Sequence, residues 1–413
     1  MTNQINAPVP IERRFISLDI HRSYAVIGGV NAQMQIVMKP KRVDNEHLEA
    51  WVQENLKSED WAVIESTSNA WHVHDLLKKH VAEVKVANPL MVKLIAAAPV
   101  KTDGRDVMHL ARLLAIGWLP EVWVPDKPVR ELRALMAHRT NLIHQRTRLR
   151  NRLSSILQSH NIVPPSGDPF TKNNREWWDH LSLSTTERLR LKQDWMQISQ
   201  LAPLIEACEN EINLCSTTEP WREQAAYLMQ FSGVGIVTAM TVLSAIGDIK
   251  RFASAGRLVG YAGLGTYVHD SGKTHHQGPI GKQGRAELRH VMVEAAWIAV
   301  DKSEYWRAQF ERLCKRKPKG VAIVAIARRM LEAIWHALTK CQPDIHANEA
   351  QVAKKFWRWS SELRKPGRRG QSIVEFARAE LDRVGLAEDV EQIPHGKGKP
   401  FILPPSKRAL TTA

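Results

Sequence analysis

Four acidic residues between positions 19 and 106 have the types and spacing of a metal site. Asp19 and Glu65 each fall at the end of an apolar, β-branched segment, and Asp103 and Asp106 are three positions apart at the start of a predicted helix. Residues three apart lie on one side of a helix. Because an apolar stripe beginning at Val107 continues on that side, we expect these acids to face the core.

Carboxylates that converge in a partly buried place repel one another unless a cation balances them. Oxygen ligands suit Mg²⁺ or Mn²⁺, and two such ions could flank a phosphodiester, activating the attacking oxygen and stabilising the leaving one. Each acid also has an ordinary structural explanation when taken singly, with Asp103 as a helix N-cap and Asp19 and Glu65 as polar strand ends. Their order along the chain favours a metal site.

A second group surrounds Ser271 in a glycine-rich stretch, 267–289, which is too irregular for a continuous helix. Glycines let backbone amides approach a phosphate, and nearby cations would stabilise its charge. The serine could be a nucleophile toward DNA or a bystander in a phosphate-binding loop, and the residues alone do not separate these alternatives. The candidate phosphate ligands here are Lys273, Lys282, Arg285 and Arg289.

The composition favours a polyanionic partner. The 413 residues carry a formal net charge of +15, and the sequence pI is about 9.7. With no membrane-binding signature, nucleic acid is the simplest partner, although some basic proteins contact no phosphate. The apolar helix predicted over 321–338 contains three charged residues and is therefore expected to be buried in protein. Membrane association is thus not expected.

The small number of cysteines and the lack of an apolar N-terminal segment predict a reducing, cytoplasmic setting. The protein would be associated with the nucleoid when it acts. The four cysteines include no C-x-x-C pair and are too sparse for a disulfide framework. The N-terminus has no apolar segment typical of a secretion signal.

The elements that would position the acids follow an α/β pattern. Three short strands in succession, then strands alternating with helices, predict a mixed sheet. Together with the positions of the four acids, this order predicts a ribonuclease-H-like sheet. The predicted strands are 14–20, 24–30, 34–38, 61–65 and 82–87.

The region after the sheet is predicted to be mostly helical. A near-heptad apolar stripe indicates one long helix over 128–160, with seven arginines and one acid on its other faces. It is either a coiled coil that contacts phosphates or an ordinary solvated helix, and the charge imbalance favours the first. The arginines proposed to bind nucleic acid are Arg133, Arg139, Arg146 and Arg150.

Three further segments complete the prediction. A tryptophan-bearing insert with Trp177, Trp178 and Trp195 precedes a helix near 201–214. The run 231–239, with Gly233 and Gly235, is similar to the hairpin of a helix-hairpin-helix, but a turn that packs two helices explains it equally well. The stretch after 343 is basic and contains one amphipathic helix near 372–384.

Several motifs, in this order over residues 14–340, resemble one family, the DEDD transposases of the IS110 insertion-sequence family, which are related to Piv-type DNA invertases. The matching segments are Ser17-Leu-Asp19, Val63-Ile-Glu65-Ser, Ala87-Asn-Pro89, Lys101-Thr-Asp103-x-x-Asp106, Gly233-Val-Gly235, Tyr261-Ala-Gly263-Leu264, Ser271-Gly272 and Ile280-x-Lys282-x-Gly284.

The resemblance implies a RuvC-like, ribonuclease-H-fold metal domain over 14–125 and a helical coiled-coil region over 126–225. It further implies a serine-bearing transposase domain over 226–342, followed by a basic extension over 343–413. Mg²⁺ or Mn²⁺ would be held by Asp19, Glu65, Asp103 and Asp106. Ser271 would attack DNA and form a covalent phosphoserine link.

The family resemblance also implies partners. The enzyme would act on donor and target DNA as a homo-oligomer, a dimer or tetramer, guided by a structured bridge RNA that the element encodes. Two rival hypotheses remain open. One is a RuvC-like junction endonuclease that cuts with metal-activated water and needs no serine. The other is a nucleic-acid-binding protein that has lost catalysis, against which the intact set of acids argues.

Overall fold

A computed structural model describes residues 13–95, 102–271, 274–395 and 398–408, with the backbone alone for 268–271 and 274–277. The chain forms two compact units that divide between Pro125 and Asp126. The first contains a mixed sheet with helices, and the second is mostly helical, as the sequence predicts.

The N-terminal unit is built on a five-stranded sheet with the order β3-β2-β1-β4-β5. Strand β2 pairs antiparallel with both β1 and β3, whereas β4 pairs parallel with β1 and β5 pairs parallel with β4. Enrichment in β-branched and aromatic residues is typical of such strands. The strands are β1 (Phe15–Ile20), β2 (Tyr24–Val30), β3 (Ile36–Asp44), β4 (Trp61–Glu65) and β5 (Glu83–Ala87).

Helices cover both faces of this sheet. Ile16 and Leu18 lie in a core with residues of α1 and α2, while Phe15 lies in a second core with residues of α4. On that second face the hydroxyl of Ser17, which is fully buried, donates to the Val107 carbonyl at 2.5 Å. The helices are α1 (Leu48–Asn55), α2 (Ala70–Leu77), α3 (Pro89–Ile95) and α4 (Asp103–Ala115), with a 3₁₀ turn at Asn45–His47.

The C-terminal unit begins with two long helices packed together, α5 (Lys127–Ser159) and α7 (Thr185–Cys215). The apolar stripe of α5, including Leu142, Leu149 and Leu153, is buried against Leu191, Ile198 and other residues of α7. The long helix and its coiled-coil stripe are therefore confirmed. The partner helix lies in the same chain.

Further helices and two small hairpins complete this unit. The helices are α6 (Arg175–Asp179), α8 (Trp221–Met229), α9 (Ile236–Ile246), α10 (Ala255–Tyr261), α11 (Ala286–Lys302), α12 (Glu304–Cys314), α13 (Lys319–Lys340), α14 (Glu349–Glu362) and α15 (Ile373–Val384), with 3₁₀ turns at Lys172–Asn174 and Ile249–Arg251. The hairpins pair β6 (Thr266–Ser271) with β7 (Thr274–Ile280) and β8 (Gln392–Ile393) with β9 (Phe401–Ile402).

Two boundaries differ from the sequence prediction. Strand β3 continues to Asp44 through Pro40, because a strand at the edge of a sheet tolerates a residue without an N–H. Helix α7 runs unbroken through Pro203 and includes Trp195, which the sequence assigned to a separate insert. Buried apolar side chains on both sides of Pro203 hold this helix against α5.

The apolar helix of the sequence prediction is α13, and its face with Ile323, Ile326 and Met330 is buried within the protein. Across the described ranges, no helix combines the length and the apolar character that crossing a bilayer requires.

Candidate functional site

The sheet places two of the predicted acids side by side. Asp19 is the penultimate residue of β1, and Glu65 is the last residue of β4, the parallel neighbour of β1. The register pairs Leu18 with Ile64, so Asp19 and Glu65 are the next residues along the two strands. Side chains alternate along a strand, and both acids therefore project from the face that carries Ser17. That face is covered by α4.

The first turn of α4 brings the other two acids to the same face. Asp103 and Asp106 both lie in that turn, and Thr102 rather than Asp103 is the N-cap residue. The Tyr24 hydroxyl donates to Asp103 Oδ2 at 3.2 Å. The Asp103 side chain is 47% exposed, so the expectation that it faces the core is wrong. The buried stripe begins one turn later, at Val107.

A histidine that the sequence pattern did not indicate lies between two of the acids. His21 Nε2 is 3.2 Å from Asp19 Oδ2 and 3.4 Å from Asp103 Oδ2, and its ring stacks on Tyr24 with centroids 4.5 Å apart. His21 follows Asp19 by two positions, which is the spacing of one strand face. That spacing, together with its position just after a strand end, is the signal that could have identified it.

The electrostatics of this cluster disfavour a charged Asp19. Burial raises the pKa of the Asp19 carboxyl above its usual range, and the negative charges of Asp103 and Asp106 raise it further. The nearby His21 opposes them and lowers this pKa. Because the charges of Asp103 and Asp106 both act on the Asp19 carboxyl, these three predicted acids interact electrostatically.

A divalent cation fits the cluster. One ligand atom from each of Asp19, His21 and Asp103 lies within 4.8 Å of the other two. The buried Nε2 atom of His21 has no partner in hydrogen-bond geometry among the described residues, although it is within ion-pair distance of both carboxylates. A cation would use this nitrogen and relieve the repulsion between the acids. Glu65 is not part of this three-residue group.

The predicted nucleophile lies in a β-hairpin rather than in an irregular loop. Ser271 is the last residue of β6, and its backbone pairs with Thr274 of β7. Its side chain, and all of Lys273, lie outside the described residues. The sequence did not predict this hairpin because the glycines, the aspartate and the proline within it are depleted in strands.

The segment that returns from the hairpin packs its backbone against α10 and the residues that follow it. The Arg285 amide donates to the Tyr261 carbonyl at 2.9 Å, and its side chain pairs with Glu287 at 3.0 Å. Arg289 donates to the carbonyls of Ala262 and Lys282, at 3.3 and 3.1 Å. Two of the predicted phosphate ligands therefore also fix the shape of this segment.

The arginines of α5 have partners within the protein. Arg133 donates to the Ser244 and Ala245 carbonyls near the end of α9, at 2.7 and 3.1 Å. Arg139 Nε donates to Glu209 of α7 at 3.0 Å. The apparent excess of positive charge on α5 is thus partly balanced by acids of its partner helix, which lie far away in sequence.

The other two predicted arginines are also half-buried. Arg150 is 3.5 Å from Asp168 and lies over the Phe170 ring, 5.0 Å from its centroid. Burial and the charge of Arg150 lower the pKa of Arg146. By contrast, Arg148, on the same helix, is exposed.

Comparison with known families gives two matches. A transposase family designated DEDD and IS110 matches residues 16–162, and the transposase IS116/IS110/IS902 family matches residues 225–311. The first match contains the acid cluster and most of α5, and the second contains the serine hairpin.

Individual relatives agree with these matches. A pilin gene-inverting protein of Moraxella bovis is 30% identical over 299 residues, which cover 68% of this chain and 80% of that protein. The transposase for insertion sequence element IS1111A of Coxiella burnetii is 23% identical over 256 residues, covering 58% and 67%. The y4qE protein of Sinorhizobium fredii is 25% identical over 233 residues, and the match spans 57% of its length.

Proposed function

Because this chain belongs to the IS116/IS110/IS902 family of transposases, we propose that it excises and inserts an insertion sequence by cutting and rejoining DNA through Ser271. Asp19, Glu65, Asp103 and Asp106 would hold Mg²⁺ or Mn²⁺. The observation that carries the proposal is the convergence of Asp19, from β1, and Asp103, from α4, on the buried imidazole nitrogen of His21.

The proposal includes a RuvC-like, ribonuclease-H-like N-terminal domain. The strand order β3-β2-β1-β4-β5, with three antiparallel strands followed by two parallel ones, supports it. So does the position of the first two acids at the carboxyl ends of adjacent parallel strands, next to a helix that supplies two more.

The serine step exchanges one phosphate ester bond for another, so the phosphate remains a diester throughout. The Ser271 oxygen would attack a DNA phosphorus, forming a P–O bond to serine as the P–O bond to a deoxyribose oxygen breaks. The serine proton leaves to a base, and the departing oxygen takes up a proton. The reverse attack by a DNA hydroxyl releases the serine, so strands can be rejoined without an external energy source.

The acids and His21 would prepare the metal site. When bound, divalent ions supply Lewis-acid stabilisation of the charge that develops on the phosphate. Tyr24 holds Asp103 through its hydroxyl, and Arg42 lies over the Tyr24 ring at 3.8 Å. These contacts restrict the Asp103 rotamer, which reduces the reorganisation that binding requires.

Guidance by a bridge RNA and assembly into a dimer or tetramer belong to the same proposal. The net charge of +15 supports a polyanionic partner. Because Arg133 and Arg139 are engaged within the protein, exposed cations such as Arg148 are the better candidates for the first contact with RNA.

The proposal is tested with full-length protein, Mg²⁺, a transcript of the element end, and labelled donor and target DNA on a denaturing gel. Wild type should give a covalent protein–DNA band, and Ser271→Ala should give none. Ser182→Ala, at an exposed serine, is the matched control and should retain the band. Cleaved DNA without a covalent band in any protein would instead favour the junction endonuclease. If Asp103→Ala left every activity unchanged, metal-dependent catalysis at this site would be excluded.

A further inference from the structure

A half-exposed tryptophan lies where α11, α12 and α13 meet. Trp297 of α11 is 43% exposed, although an aromatic side chain of this size is usually worth most when its faces are covered. Its neighbour is the partly buried Phe310 of α12, and the two rings meet edge to face with their centroids 5.7 Å apart and their planes at 65°. This contact fixes the position of both rings and leaves part of the indole surface open to solvent.

The two rings line an open cavity of about 480 Å³, which we name the aromatic groove. Arg307 donates to the Val300 carbonyl at 3.3 Å and also to the Asp301 carbonyl, so its side chain is fixed at the end of α11. The Asp301 carboxylate pairs with Lys302 at 2.8 Å. The charged residues that line the groove are Asp301, Arg307, Glu311 and Lys319.

A basic turn lies at the edge of the aromatic groove. Cys314, the last residue of α12, and Lys319, the first residue of α13, both line the groove, so the residues between them border it. The amides of Arg316 and Lys317 donate to the carbonyl of the buried Leu313, at 3.1 and 3.0 Å, which makes this turn compact. The segment 312–331 contains seven Lys or Arg and no Asp or Glu. The exposed cations of the turn are Lys315, Arg316, Lys317 and Lys319.

The start of α13 adds to the positive potential at this edge. The N-cap residue of this 22-residue helix is Pro318, and no side chain caps its first amides. A Cβ on Gly320, in the first turn, would meet nothing within 4 Å. Because the N-terminal end of a helix carries a partial positive charge, this open turn favours the same sign of ligand as the four cations do. The groove therefore joins an aromatic surface to a positively charged edge.

Single-stranded nucleic acid matches both features of the groove. The bases of a duplex are stacked and paired inside it, so only its backbone could reach this surface. An unpaired nucleotide presents the open face of a base next to a phosphate, and aromatic side chains beside cations bind such strands. Glu311 suits the amino group of a base, which needs an acceptor. Asp301 is balanced by Lys302, whose hydrogen bond and charge lower the pKa of that carboxyl.

We propose that the aromatic groove binds single-stranded nucleic acid, with one unpaired base stacked on Trp297 and the neighbouring phosphates on the basic turn. An unpaired segment of RNA and an opened strand of DNA share this chemistry. The inference rests on the proposed function, because it takes nucleic acid to be the partner. It does not depend on the recombination chemistry, since binding in the groove needs neither Ser271 nor a metal.

Replacement of Trp297 tests the stacking. Trp297→Leu should lower the affinity of full-length protein for a labelled single strand of about 12 nucleotides about tenfold, because one base loses its stacking partner. Trp297→Phe keeps an aromatic face and should lose less. Fluorescence anisotropy in EDTA measures these affinities, and the affinity for a duplex of the same sequence should not change. Trp118→Leu, at a tryptophan that is 71% exposed in the N-terminal unit, is the matched control and should bind as wild type does.

Replacement of a cation tests the contact with the backbone. Lys317→Gln removes about one phosphate contact, so the slope of log affinity against log salt should decrease by about 0.7 for single strands. Lys192→Gln, at an exposed lysine of α7, is the control and should leave the slope unchanged. Equal slopes for the two variants would contradict the proposed path of the backbone.

Photocrosslinking identifies which strand occupies the groove. Single-stranded RNA or DNA that carries 5-iodouracil should crosslink to the tryptic peptide that contains Trp297. A crosslink from RNA alone assigns the groove to unpaired RNA, and one from DNA alone assigns it to an opened DNA strand. Ser271→Ala should bind single strands as wild type does, so the outcome is separate from that of the covalent-band experiment. The proposal is overturned if Trp297→Leu keeps wild-type affinity for both single strands. It is also overturned if this variant loses duplex binding equally, or if Trp118→Leu loses as much.

Discussion

The acid cluster of the N-terminal unit and the arginine-rich helix of the C-terminal unit handle charge in opposite ways. In the first, Asp19 and Asp103 approach one imidazole, and the pKa of Asp19 is raised above its usual range. In the second, Arg139 pairs with Glu209 and Arg152 with Asp194, joining α5 to α7. Like charges are gathered in one region, and opposite charges are matched in the other.

Whether charges of one sign are gathered or opposite charges are paired distinguishes a ligand-binding site from a structural helix better than the number of charged residues does. Gathering like charges costs stability, which the fold tolerates where a ligand supplies the missing counter-charge. Matched pairs fix helices in register and leave less charge for an outside partner. We therefore expect substitutions in the acid cluster to reduce activity while sparing stability, and substitutions in the matched pairs to do the reverse.

The largest expected effect is that of Asp19→Asn. DNA cleavage should fall by about three orders of magnitude or more, because a ligand of the activating cation is lost. Since the folded-state pKa of Asp19 is raised, its charged form destabilises the metal-free protein above that pKa. Asp19→Asn should therefore raise the unfolding temperature in EDTA at pH 7.

The stabilisation by Asp19→Asn in EDTA should depend on pH. As pH falls through the folded-state pKa of Asp19, the wild-type carboxyl takes up its proton, and the gain of Asp19→Asn over wild type should shrink. Thermal unfolding of both proteins in EDTA between pH 7 and pH 4 measures it. Glu54→Gln, an exposed acid on α1, is the control and should change neither activity nor this difference. A lower unfolding temperature for Asp19→Asn at pH 7 would contradict the interpretation.

The next largest effect concerns a matched pair that is deeply buried. Arg222 Nε donates to Glu380 Oε1 at 2.8 Å, with side-chain exposures of 9% and 0%. Glu380→Gln would leave a buried guanidinium without its charge partner and should cost about 3 kcal/mol in urea unfolding. The partly exposed pair Arg328–Glu332 is the comparison, and Glu332→Gln should cost less than about 1 kcal/mol. Equal losses would show that burial does not govern these pairs.

Local pattern was sufficient to predict much of this fold. Segments rich in β-branched residues predicted β1, β2, β4 and β5, and the heptad stripe predicted α5 to within a residue or two. The helix near 372–384 has its N-cap at Ser372, where a capping box with Glu375 forms. The β6–β7 hairpin could not be predicted because its residues have low strand propensity. The passage of α7 through Pro203 could not be predicted because packing against α5 outweighs local propensity there.

The site was predictable to the extent that its residues obey a local period. Asp103 and Asp106 share the first turn of a helix, and Asp19 and Glu65 lie at or next to the ends of strands, so their spacing and their order along the chain indicated them. The exposure of Asp103 was not predictable, since it depends on where α4 begins over the sheet. Likewise, Arg139 seemed free in sequence because Glu209 is 70 positions away.

A smaller effect is expected for the partly exposed pair between the long helices. The side chains of Arg139 and Glu209 are 21% and 38% exposed, and water screens part of their attraction. A double-mutant cycle of Arg139→Gln and Glu209→Gln should give a coupling energy of about 1 kcal/mol in urea unfolding. The salt slope of nucleic-acid binding should change little in Arg139→Gln. A reduced slope with unchanged stability would assign this arginine to the nucleic acid.

The smallest effect on stability, and the sharpest test of the comparison, comes from Arg148. This residue shares α5 with Arg139 but is exposed. Its replacement by glutamine should leave the free energy of unfolding within about 0.5 kcal/mol of wild type. If α5 contacts RNA or DNA, Arg148→Gln removes about one phosphate contact. The slope of log affinity against log salt should then decrease by about 0.9 for duplex DNA, as measured by anisotropy titrations from about 50 to 300 mM KCl. If neither Arg148→Gln nor Arg139→Gln changes the salt slope, α5 has only a structural role. Nucleic acid would then bind to other basic surfaces of the protein.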